Sequence, residues 1–160
     1  MRRATIIAAV LLAAGSGLWA QTDDEDAKAI ATFPLTMEGV DKALRASAIL
    51  SKLQRNDTAL SQEVAEIARE PRLKDQVKRL EANPKLMAPL RSYSLSAREF
   101  FLILKGLAAA RLASGMPPKL PHPTASDEHI KFYRDHEDEI DALEENLAPE
   151  PSPTPSPKSL

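Results

Sequence analysis

Three imidazoles, His122, His129 and His136, are the only histidines in a chain of 160 residues that has no cysteine, and they stand seven residues apart. Regular histidine spacing invites a metal reading, and the geometry of a helix argues against it. Seven residues are two helical turns, about 10.5 Å of rise, so His129 and His136 cannot share one ion as i and i+4 ligands do. His122 stands in a proline-rich stretch and could join either only after a turn. No His-Glu-x-x-His motif exists, because His136-Glu137 is followed by Asp138, Glu139 and Ile140. The chain is therefore expected to hold no metal and no cofactor. Missing cysteines exclude covalent haem attachment. Non-covalent ligation by Met37 with a last-helix histidine would need both at one end of an up-down bundle, which the order of elements does not provide.

Nucleophilic chemistry fares no better. A serine nucleophile needs a base within reach, and no Gly-x-Ser-x-Gly elbow accompanies the histidines. Carboxylates are plentiful near the C-terminus, at Asp138, Glu139, Asp141, Glu144 and Glu145, but they mostly fall opposite the apolar stripe of their helix and read as a solvated face. Glycosidase-type acid/base work would need two carboxyls facing across a cleft. No catalytic residue is assigned. For binding, Tyr133 and His136 are expected to turn inward from the last helix, where Phe100, Phe101, Tyr93 and Phe132 would help line a pocket. Arg98 and Arg111 are candidates for holding a carboxylate or phosphate, although Arg98 in the first turn of its helix reads equally as a solvated flank.

Those side chains depend on helices with legible ends. The densest apolar run, Phe100 to Leu104, lies between Ser96 and Gly115. Ser96 followed by Glu99 is a capping box, Leu95 with Phe100 has the staple spacing, and Gly115 before Pro117 and Pro118 is a stop. Few charges interrupt this helix, so nearly its whole circumference must be covered, and its large residues through Leu112 are expected in the core. Before it, Thr36 caps a helix to about Arg55, with Val40, Ala43, Leu44, Ser47, Leu50 and Leu53 on one face and Asp41, Arg45 and Lys52 on the other. Asn56-Asp57 caps a second helix carrying Leu60, Val64 and Ile67. Pro71 suits the first turn of a third, with Leu73, Val77 and Leu80. Asn83-Pro84 opens a fourth, which Pro89 should bend or end near Leu90. Ser126 caps the last helix, whose inner face is expected to be Phe132, His136, Ile140, Leu143 and Leu147.

The flanks read differently. Arg2 and Arg3, the apolar run Ala4 to Ala14 and a Gly-Ser-Gly break suggest a signal peptide over residues 1–20, cleaved after Ala20. An uncleaved anchor is the alternative, since Ala4 to Thr22 carries no charge. Residues 21–35, with the run Asp23 to Asp26, read as an acidic flexible leader, 36–148 as the helical domain, and 149–160, with proline at alternate positions, as a disordered or polyproline tail serving as spacer. Met116 to Pro123 should be extended and stiff. The formal net charge of −2 gives no nucleic-acid footprint, and no stable membrane anchor is expected once the signal is removed.

Asn-Pro-Lys-Leu-Met at Asn83 to Met87, Ser-Ala-Arg-Glu-Phe-Phe at Ser96 to Phe101, and Ile130 to Ile140 are similar to a group of exported bacterial all-helical proteins without an assigned function. That resemblance covers roughly Val40 to Leu147, implies an exported all-α domain and brings no catalytic residues. The sequence thus predicts a compact all-α bundle of five or six helices around a central apolar helix, periplasmic or secreted. It reads as a module for a small ligand or an envelope protein. An enzyme with an unfamiliar His136/carboxylate site and a structural envelope role are the alternatives.

Overall fold

Polar side chains that bond to nearby backbone amides mark where most of the helices begin. The computed structural model describes residues 23–115 and 124–148, and over these the protein is all-α. Its helices are α1 (Asp24–Thr32), α2 (Met37–Asn56), α3 (Thr58–Arg69), α4 (Leu73–Glu81), α5 (Pro84–Ser92), α6 (Ala97–Ser114) and α7 (Asp127–Leu147). The expectations for the signal segment, for Met116 to Pro123 and for the C-terminal tail lie outside the described residues. Thr36 Oγ1 accepts from the Gly39 amide at 3.1 Å and Asp57 Oδ1 from Ala59 and Leu60 at 3.0 and 3.2 Å. Asn83 Oδ1 accepts from Lys85 at 3.1 Å, and Ser126 Oγ from His129 at 3.2 Å. Ser96 and Glu99 form the full capping box of α6. Each cap satisfies amides that the first turn of a helix leaves without partners.

Seven helices among the described residues exceed the five or six expected, and α1 accounts for the difference. The stretch read as a flexible acidic leader is helical from Asp24, with Ala27 and Ile30 buried. Its acids are not all solvated: Asp26 Oδ2 accepts from the Leu73 amide at 2.7 Å, across 47 residues of sequence. That contact also explains α4. The helix starts at Leu73, beyond Pro71, its own N-cap residue Arg72 makes no side-chain cap, and Asp26 supplies the missing acceptor from another element. Pro89 lies inside α5, which ends at Ser92, two residues past Leu90.

The corner between α5 and α6 is a Schellman turn. Leu95 N–H donates to Leu90 O at 2.9 Å and Ser94 N–H to Arg91 O at 3.0 Å, with Leu90 and Leu95 both buried. Ser94 takes the left-handed conformation at φ 56°, a place that glycine usually fills. In α6 eleven of the eighteen residues are buried. The helix packs against α7, α2, α4, α1 and α5. Leu112, expected in the core, is instead 55 % exposed. Apolar contact from several helices is what makes so uniformly apolar a helix stable in water. Among the described residues no helix is long and apolar enough to cross a membrane.

Candidate functional site

Of the residues singled out from sequence, Tyr133, His136 and Arg98 do not converge. Tyr133 is buried, as expected, at 4 % exposure. His136 is not: its side chain is 35 % exposed, its Nδ1 lies 3.3 Å from Glu139 Oε2 on the same helix, and its ring packs against Phe132 with centroids 4.8 Å apart. Arg98 is exposed in the first turn of α6. Thirteen residues separate it from Arg111, the arginine that does meet Tyr133, so the two stand about 20 Å apart along the helix.

The inward histidine is His129. It is 3 % exposed, its Nε2–H donates to the Phe33 carbonyl at 2.6 Å, and its Nδ1 is buried without a partner. Its ring lies against Gly106 of α6, where a Cβ would stand 3.3 Å from Cε1 and 3.5 Å from Nδ1. The mid-helix glycine thus lets α7 approach closely. The buried polar stripe of α7 is His129, Tyr133 and Glu144, with Ile140, a rotation of the face read from apolar residues alone.

Tyr133 and Glu144 meet Arg111. Arg111 Nε donates to Tyr133 Oη at 3.0 Å, and Nη2 donates to Glu144 Oε2 at 3.0 Å and Asp141 Oδ1 at 3.3 Å. The guanidinium carbon also stands 5.4 Å from the Tyr133 ring centroid. Burial works against the Arg111 charge, yet the bonds to Glu144 and Tyr133 hold the guanidinium above its usual range. Burial also pushes the Tyr133 phenol up, opposed by the Arg111 donor. This cluster ties α7 to α6, and His136 is not part of it: its carboxylate neighbour is the exposed Glu139 of the same helix.

Two further charged features are structural in geometry. Arg79 on α4 reaches Glu63 at 2.9 Å, Glu70 at 3.2 Å and also Glu66, joining α3 to α4. Lys105 on α6 is held below the usual lysine range by burial, with Asp26 opposing. Among the described residues no group of three or more histidines and carboxylates is arranged to hold a metal.

A concave feature among the described residues lies away from all the predicted site residues. An open groove of about 570 Å³ runs between α2, α3 and α5, lined by Ile49, Leu53 and Leu60 with Ala88 and Pro89. Asn56, Asp57, Lys85 and Ser92 complete its polar edge. Along α2 the lining residues Ile49, Leu53 and Asn56 recur at i, i+4 and i+7, and along α5 Lys85, Ala88, Pro89 and Ser92 recur at i, i+3, i+4 and i+7, so each helix contributes one stripe. Lys85 Nζ stands 3.5 Å from Asp57 Oδ2. Pro89 has no amide hydrogen, so it cannot donate to the Lys85 carbonyl one turn back. Ile49 was the available signal. It is an aliphatic residue on the Arg45 and Lys52 side of α2, off the buried stripe, and it is 38 % exposed.

Over the described residues the geometry is therefore all-helical, with a half-buried polar tie and a separate aliphatic groove. Comparison with protein-family models, curated proteins and solved structures found no match.

Proposed function

We propose that this is an exported helical protein that works as an interaction module, receiving a segment of another protein in the groove between α2, α3 and α5. The observation that carries the reading is the exposed aliphatic surface at Ile49, open beside Leu53, Ala88 and Pro89. Apolar side chains set in a concavity and rimmed by polar groups are the usual form of a binding groove. The bundle is organised around α6, a reading supported by its eleven buried residues and its five neighbouring helices. On this account α6 fixes the relative positions of α2 and α5, and those two helices form the walls. Export, with a periplasmic or secreted destination, rests on the charged, apolar and small-residue pattern of the first twenty residues. Position-resolved photo-crosslinking tests the module reading. A crosslinking residue placed at Ala88 in the producing cells captures a protein that the same residue at Arg98 does not. Equal capture from both positions, or none from Ala88, defeats the reading.

A further inference from the structure

We infer that the occupant of the α2–α3–α5 groove is an acidic amphipathic helix of a partner protein, an inference that rests on the interaction-module reading above. Shape is the first argument. The α2 and α5 walls of the groove run antiparallel, as Asp57 beside Lys85 at one end and Arg45 near Tyr93 at the other indicate. A valley with an aliphatic floor takes the apolar face of a third helix, anchored by side chains at i and i+4. A polyproline segment, the chain's own residues 149–160 included, is a poorer fit, because grooves for such segments are lined by aromatic rings and this lining has none. A bilayer surface is poorer still, because adsorption needs an apolar face that protrudes, and Leu53, Leu60 and Pro89 lie recessed.

Charge is the second argument. The segments that border the groove, 45–57, 58–69 and 84–92, carry Arg45, Lys52, Arg55, Arg69, Lys85 and Arg91 against Asp57, Glu63 and Glu66, in a chain whose overall charge is −2, and both glutamates are held by Arg79. Asp57 is already engaged by the Ala59 and Leu60 amides and by Lys85, and Arg45 is paired with Asp41. Lys52 shares the groove-facing side of α2 with Ile49 and Asn56, and it is exposed. Lys52, exposed beside the floor on α2, and Lys85, on the facing edge where it also meets Asp57, stand on opposite walls, which favours carboxylates on the flanks of the docked helix. The acidic α7 of a second copy has the charge but not the anchors, since its apolar residues already face its own core.

The test uses the full chain and three synthetic helical peptides that share leucines at i and i+4 and differ only in flanking glutamate, glutamine or lysine. Binding is read from the methyl resonances of Ile49 and Leu53. The glutamate peptide is expected to bind about tenfold or more tightly than the lysine peptide, and Lys52→Glu with Lys85→Glu to reverse that order with the helical circular dichroism retained. Equal binding of all three peptides at Ile49 and Leu53 would overturn the acidic assignment while leaving the module reading intact. A failure of every peptide to move these methyls would overturn the inference, and the crosslink from Ala88 then judges the module reading separately. Methyl shifts caused by phosphatidylglycerol vesicles, or by raising the protein concentration alone, would overturn it in favour of a membrane or of self-association.

Discussion

Replacing Arg111 with methionine removes the one donor that reaches Tyr133, Asp141 and Glu144 together, and the cost follows from what is left behind. Glu144 is only 6 % exposed and its second oxygen already lacks a partner, so the variant leaves a buried carboxylate without a counter-charge. Breaking a fully buried pair costs about 3–5 kcal/mol, whereas an exposed pair is worth about 0–1 kcal/mol. Arg111 is 37 % exposed at its side chain, which places the expected loss between those limits, at about 2–3 kcal/mol. For a domain of this size that lowers the melting temperature by roughly 6–12 °C. Glu144→Gln keeps the volume and an acceptor and should cost about 1 kcal/mol. The double variant removes both charges, so its loss should fall short of the summed single losses by about 1–2 kcal/mol. Urea unfolding of the four proteins measures all three quantities. Additive losses, or an Arg111→Met variant within about 0.5 kcal/mol of the parent, would refute the view that this cluster holds α7 in place.

Two other perturbations have definite signs. Glu99 accepts from the Ser96 amide and hydroxyl, which holds its carboxyl below the usual glutamate range. A depressed folded-state value stabilises above the unfolded value and is lost as pH falls through the folded one, so Glu99→Gln should cost about 0.5–1 kcal/mol at neutral pH and nothing once the carboxyl is protonated. A loss independent of pH in urea titrations would contradict this. Ser94→Gly relieves the left-handed backbone at the α5–α6 corner and should raise stability by up to about 1 kcal/mol, with an unchanged or lower midpoint as the contrary result.

Helix starts were legible because caps are local: Thr36, Asp57, Asn83, Ser96 and Ser126 each bond an amide two or three residues ahead. What failed was whatever depended on a distant partner. Asp23 to Asp26 looks solvated until Leu73 arrives across the fold to use Asp26. On α7, apolar residues alone placed Phe132 and His136 on the inner face. The buried residues include His129 and Glu144, because the Phe33 carbonyl and Arg111 make burial of those polar groups tolerable. Leu112 reads as core because α6 is apolar nearly throughout, although a helix near its end can leave one side uncovered. The groove is not legible in the sequence for a related reason. Ile49 and Leu53 sit four apart in α2, but only the antiparallel placement of α5 turns that pair into one wall of a concavity.

The claim most exposed to a single measurement is that the α2–α3–α5 groove is the working surface of the protein. Photo-crosslinking residues placed in turn at Ile49, Ala88 and Arg98, in cells that produce the protein, address it directly. The account predicts one shared adduct from Ile49 and Ala88 and none from Arg98. An adduct confined to Arg98, or adducts indifferent to position, would contradict it.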